Sequence, residues 1–171
     1  MDTNIGVTDN IFNAQDTKYI TEYCTEGAEY RWGEHDEPQH PPTGLVHDIP
    51  EDEGMYDIFK NKIANDLYPE VKKLELYRMY VNCFAPREVP YWHTDGPSSC
   101  ITFLYYPKPT HKWDLNELGE TQFHMDDMIY GIPPIPNRMI MFNAAIKHRA
   151  TSFRTYHRFT VAVKYKPFGN M

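Results

Sequence analysis

The chain is 171 residues long, with 41% hydrophobic and 24% charged residues, which suits one domain with a real core and excludes a disordered chain. A formal charge of −7 and the lack of any dense Lys/Arg cluster argue against a nucleic-acid partner. No run of about 18 apolar residues marks a membrane span, and the N-terminal MDTNIGVTDN lacks the basic-then-apolar order of a signal peptide. The three cysteines, Cys24, Cys83 and Cys100, form neither a disulfide framework nor a CxxC metal pair, so buried thiols in a reducing, cytoplasmic compartment are expected.

In chain order, residues 8 to 24 predict a helix. It opens on the capping residues Thr8, Asp9 and Asn10 and carries Ile11, Phe12, Tyr19, Ile20 and Tyr23 at helical spacing. Residues 25 to 53, rich in Pro, His and acids, predict an irregular loop with a short strand at 29 to 32. His35, His40 and His47 in this loop fit no metal-ligand spacing and are read as solvated. A second helix is expected over 54 to 73, from Met55, Ile58, Phe59, Ile63, Leu67 and Val71, with a break near Pro69. From Leu74 onward the apolar residues fall into β-type runs at 74–84, 100–106, 121–125, 138–143 and 157–165, punctuated by Pro, Gly and Asn. The expected fold is mainly β with N-terminal helices. A single domain, 1–171, divides into a helical support region and loop (1–73) and a β-sandwich core (74–166) whose outer face the helices cover.

The last run can be sorted by face, because side chains alternate along a strand. Phe159, Val161, Val163 and Tyr165 share one face, suited to packing under helices. Arg158, Thr160 and Ala162 share the other, which should point inside the sandwich. A guanidinium buried there needs an anion, and this is the first hint of a ligand pocket. Upstream, Tyr91-Trp92-His93-Thr94-Asp95-Gly96 contains His-x-Asp, and on an extended strand His93 and Asp95 project to one side and can grip one ion. His148 follows as a third candidate. Two imidazoles and one carboxylate leave open positions and suit non-haem Fe(II), whereas closed structural zinc would need a fourth protein ligand. Arg158 comes ten residues after His148; a short connection between two strands would return it beside the metal, its forked donors matched to a carboxylate.

At this point the residues resemble a known family, the 2-oxoglutarate/Fe(II) oxygenases with a double-stranded β-helix (jelly-roll, cupin-like), and more closely their prolyl 4-hydroxylase-like branch. The likeness covers residues 74–166 and falls on His93, Asp95, His148 and Arg158. Gly119-Glu120-Thr121-Gln122-Phe123 is similar to the family's Gly-Gly-Glu-Thr-x-Phe, with Leu118 in place of the first Gly. Cys100-Ile101-Thr102-Phe103-Leu104-Tyr105-Tyr106 resembles the hypoxia-sensing prolyl hydroxylases, which implies that Tyr106 hydrogen-bonds the distal carboxylate of 2-oxoglutarate. Thr102 shares the parity of Tyr106 and is expected to line the same pocket. Tyr80 and Asn82 lie on a run similar to the cosubstrate strand of phage and bacterial members, and are carried as further contacts. The corresponding hypoxia-sensor strand has a Tyr near the position of Phe84, so the likeness leaves open what holds the inner carboxylate.

The resemblance implies Fe(II), 2-oxoglutarate and O2, with ascorbate as a reductant. It implies hydroxylation of an unactivated C–H bond, with release of succinate and CO2, on a peptide or small-molecule substrate, a peptidyl proline being favoured. A bacterial or phage origin, and in the latter case the host cytoplasm, is expected on the same ground. Two other readings stay open: a cupin-like metal-dependent lyase or isomerase, and a non-catalytic binding module on the same fold. An Arg158–Tyr106 clamp argues against the first and a full set of metal ligands against the second.

Overall fold

The computed structural model describes residues 5–169; the first four residues of the stretch read for a signal peptide lie outside them. Ten strands are described: β1 (Gly6–Thr8), β2 (Arg31–Trp32), β3 (Leu45–Asp48), β4 (Leu74–Phe84), β5 (Ile101–Tyr106), β6 (Thr121–Met125), β7 (Met128–Ile132), β8 (Arg138–Asn143), β9 (Lys147–Ala150) and β10 (Arg158–Pro167). They form a seven-stranded sheet in the order β1-β8-β5-β10-β4-β3-β2 and a three-stranded sheet in the order β7-β6-β9. This is the mainly β, double-stranded β-helix arrangement expected from the alternating runs.

The large sheet has two unlike faces, set by residue parity. Val81, Phe103, Tyr105, Val161, Val163 and Tyr165 point outward into a core shared with Ile20, Met55, Phe59 and Ile63 of the helical region. Rings of Phe12, Phe59 and Tyr105 meet edge to face there, with centroids 5.1–5.3 Å apart. The opposite face packs on the small sheet through Tyr106, Ile140 and Phe142 against Phe123.

The helical region departs from the periodicity. The first helix, α1, runs only over Ala14–Glu22, capped by Asn13, whose Oδ1 accepts from the Asp16 N–H at 2.9 Å. Thr8 belongs to β1 instead, and Asp9 is held by a two-pronged contact with Arg138, at 2.7 and 3.0 Å, so neither is free to cap a helix. The second, α2, is regular over Gly54–Asn61, widens at Lys62–Leu67 and ends in a tighter turn, Pro69–Lys73, with Pro69 at its first position. The loop between them holds β2 as expected, and also β3, which pairs with β4. Among the described residues no helix is long and apolar enough to cross a membrane, and all three cysteines are buried thiols.

Candidate active site

His93 and Asp95 do not sit on a regular strand. The segment before β5 is tied to β9 by a single two-bond bridge: His93 N–H donates to His148 C=O at 3.0 Å and His148 N–H to His93 C=O at 2.9 Å. Asp95 N–H donates to Ala144 C=O at 2.8 Å. The three side chains converge, each offering a ligating atom within 4.8 Å of the other two. Both imidazoles are oriented from behind. His148 Nδ1 lies 2.8 Å from Ile146 C=O, and His93 Nδ1 lies 3.0 Å from Tyr91 C=O and 3.5 Å from Asp36 Oδ1. Each Nε2 is thereby turned inward, 3.5 Å (His148) and 3.7 Å (His93) from the Asp95 carboxylate.

The charge states suit a cation. Burial pushes the His148 imidazole down to about 4, against the pull of Asp95, so it is neutral near pH 7. Burial works to raise the Asp95 carboxyl, but Lys164 and the two imidazoles outweigh it and hold that carboxyl well below the usual range. Two neutral-capable nitrogens and one carboxylate oxygen on one side of a cavity form a facial donor set with open positions, and these residues fit a non-haem divalent metal.

That cavity, about 250 Å³, is lined by the three donors, by Arg158, Thr121 and Lys164, and by Tyr80 and Asn82. Arg158 is 1% exposed. Its Nε donates to Gly119 C=O at 2.7 Å and its Nη2 to Thr121 Oγ1 at 3.0 Å, with the Tyr106 ring 5.5 Å from its guanidinium carbon. All of these partners are neutral, and among the described residues no carboxylate pairs with it. Burial lowers its pKa against the pull of Tyr106 and of the more distant Glu120 carboxylate, as for a cation with no anion bonded to it. The expected short connection returns Arg158 to the cavity by crossing the sandwich, since β9 lies in the small sheet and β10 in the large one.

Two residues expected as cosubstrate contacts, Thr102 and Tyr106, do not line that cavity. Thr102 gives its hydroxyl to Asp95 Oδ2 at 2.7 Å, because the Asp95 loop folds back over β5. Tyr106 stands behind Thr121, donating to its Oγ1 at 2.7 Å, and reaches the cavity only through that hydroxyl and Arg158. Thr121 thus accepts twice, which leaves its own hydrogen to donate into the cavity it lines. Arg149 stacks on Trp92 and bonds Gln122, outside the cavity, and Arg154 bonds Asn116 C=O in a loop. His47 bonds Tyr23, His40 stacks on Tyr91, and His35 reaches the cavity wall.

Sequence reasoning missed Lys164, Asp36 and the role of Thr121. Lys164 continues the parity of Arg158, Thr160 and Ala162, which was the available signal. Asp36 carries none, since a loop contact across the fold has no period. Leu118 and Gly119 explain the quoted motif: they take φ +64° and +89°, and a Cβ on Gly119 would run into the Phe153 ring.

Fold and site together define the class of architecture: a double-stranded β-helix with a His-x-Asp…His constellation and a buried arginine beside it. No protein-family model matches the sequence, and no curated relative is detectable from it. Solved structures do match, over nearly the whole chain. A prolyl-4-hydroxylase from Pseudomonas putida superposes with TM-score 0.75 at 11% identity, covering 98% of this chain and 95% of that one. A prolyl hydroxylase from Trichoplax adhaerens, in complex with a hypoxia-inducible-factor peptide fragment, gives 0.71 at 14%, covering 96% and 84%. HygX from Streptomyces hygroscopicus, with nickel, 2-oxoglutarate and hygromycin B bound, gives 0.71 at 12%, covering 97% and 84%. The chain has the fold of the prolyl-4-hydroxylases and 2-oxoglutarate/Fe(II) oxygenases.

Proposed function

We propose that the protein is an Fe(II)- and 2-oxoglutarate-dependent oxygenase. The observation that carries this reading is Arg158: a buried guanidinium whose hydrogen-bond partners are neutral, with Glu120 acting only at a distance, lining the same cavity as His93, Asp95 and His148. A charge left so is costly unless a ligand supplies the anion, and a dicarboxylate spans a metal and a distant cation. When bound, iron and 2-oxoglutarate would supply the oxidising chemistry, coupling decarboxylation of the keto acid to hydroxylation of a C–H bond.

The chain's own residues would hold and shield these groups. His93, Asp95 and His148 would carry the metal, with Thr102 fixing the carboxylate and backbone carbonyls fixing both imidazoles. Arg158 and the Thr121 hydroxyl would take the far carboxylate, and Tyr106 would orient Thr121. Tyr80 and Asn82, from the neighbouring strand, would wall the cosubstrate. The substrate we infer is a peptidyl proline, supported by the two prolyl-hydroxylase neighbours, one of them with a peptide. A polar small molecule is the second reading, favoured by Glu34, Asp36 and Arg78 on the cavity wall and by a neighbour that holds hygromycin B.

Succinate formation with Fe(II) and 2-oxoglutarate tests the reaction, against panels of prolyl peptides and of amino sugars for the substrate. Arg158→Met should raise the 2-oxoglutarate concentration for half-maximal turnover by more than about tenfold, since a charge-assisted contact contributes roughly 1.5–3 kcal/mol. Arg154→Met, in the loop, should leave it unchanged. No succinate from the wild type under any panel, or a larger effect at Arg154, would overturn the assignment.

A further inference from the structure

Lys164 enters no part of the function proposed above, yet it touches the centre. It lies on the inward face of β10, directly across from Thr102 of β5. These two register partners divide one carboxylate: Thr102 donates to Asp95 Oδ2 at 2.7 Å, and Lys164 Nζ to Oδ1 at 2.8 Å. The lysine is buried, with the Tyr80 ring centroid 5.2 Å from its ammonium. The Arg78 guanidinium sits 4.2 Å from the same ring. Asp95 therefore receives a full counter-charge from the chain itself.

A divalent metal and an ammonium drawn to one carboxylate repel each other. A buried ammonium that loses its anion must find another, because an unpaired buried charge is costly. Lysine suits such an exchange, being a point charge on a flexible stem with three donors. The anion that arrives with the metal is the keto-acid end of the cosubstrate, for which no other cation lies against Asp95 among the described residues.

We infer that Lys164 is the resident counter-ion of the unloaded centre, and that its ammonium passes from Asp95 to the inner carboxylate of the cosubstrate when a divalent metal takes Asp95. This rests on the metal and 2-oxoglutarate reading above. Metal alone must then displace a cation, whereas metal with 2-oxoglutarate gives that cation a new partner. The two ligands favour each other through Lys164, and the coupling is reciprocal.

The test is Mn2+ titration of the full chain, followed by electron paramagnetic resonance, with and without 2-oxoglutarate. Lys164→Met should bind Mn2+ alone about tenfold more tightly than the wild type, and the factor by which 2-oxoglutarate tightens Mn2+ should fall about tenfold, within the usual range of such couplings. Lys164→Arg should keep most of the coupling. Lys164→Gln, neutral but able to donate to Asp95, repeats the test should the Met variant fold poorly without metal. Weaker Mn2+ binding by the neutral variants, with the 2-oxoglutarate factor unchanged, would reduce Lys164 to a scaffold for Asp95 and overturn the inference. His148→Ala separates the two levels: Mn2+ binding that survives it unaltered would sink the metal centre itself, whereas its loss leaves Lys164 to be judged on its own variants.

Discussion

Arg158 shows a single residue kept against the interest of the empty fold. Its guanidinium is buried with neutral hydrogen-bond partners, and replacing even a paired buried charge set by apolar side chains is often neutral or stabilising by about 1–4 kcal/mol. Arg158→Met should therefore raise the unfolding free energy of the ligand-free protein by about 1–2 kcal/mol, while the stabilisation that 2-oxoglutarate confers disappears. Urea unfolding with and without 2-oxoglutarate reads both, and a less stable ligand-free variant would refute the account. Leu118 presents the opposite case. It holds φ +64° where the resembled motif has glycine, and it is 42% exposed, so strain of about 1–3 kcal/mol is offset by only partial burial. Leu118→Gly should gain about 1 kcal/mol after the entropy of glycine is subtracted, read as a higher melting temperature. At this scale the four residues on the quoted pattern, His93, Asp95, His148 and Arg158, were legible because their chemistry is rare in combination. The bond from Thr102 to Asp95 was not legible, because parity tells which face a side chain takes but not which loop folds over it.

The polar loop before β3 is the element whose part in the site is easiest to underrate. Asp36 Oδ2 accepts from the Tyr91 N–H at 2.7 Å and from the Thr43 hydroxyl at 3.1 Å, and Oδ1 lies 3.5 Å from His93 Nδ1. One carboxylate thus joins the loop to the segment carrying the first proposed ligand. Partners of this kind typically cost 10–100-fold in metal affinity when removed. Asp36→Ala should weaken Mn2+ binding about tenfold and speed proteolysis within residues 33 to 44. Unchanged affinity together with unchanged cleavage would show the contact to be incidental. The long strands were legible from composition and alternation, whereas β9 reads Lys-His-Arg-Ala and β7 is an exposed edge strand, so neither has the half-buried pattern that marks a strand. The crossing between β9 and β10 was hidden for the same reason: local spacing does not say in which sheet a strand will pair.

Taken whole, the molecule carries in its cavity two groups, His148 and Asp95, that make it sensitive to acid. Unfolded histidine titrates near 6.5, but His148 in the fold titrates at about 4. Between these values the unfolded chain binds a proton that the folded one does not, so stability falls as pH falls. His148 alone is expected to cost the metal-free protein up to about 3 kcal/mol over that window. Asp95, depressed chiefly by Lys164 against its burial, adds a further loss as pH drops below the ordinary carboxylate range. Urea unfolding at pH 7 and at pH 4.5 measures the fall, and His148→Asn should flatten it. An equal slope in that variant would place the acid sensitivity elsewhere.

β10 is the last of the described strands in chain order, yet it fills the middle of the large sheet, between β5 and β4. On the ribosome, His93, Asp95 and His148 all leave before the strand that closes the cavity around them. Until residues 158–167 follow, Arg158 and Lys164 do not exist and Asp95 has no counter-charge. At 5–20 residues per second that interval lasts about one to four seconds. A nascent chain can therefore present the proposed metal ligands but neither the proposed cosubstrate clamp nor a sealed pocket. The order of synthesis withholds the proposed oxidant until the protein that must contain it is complete enough to do so.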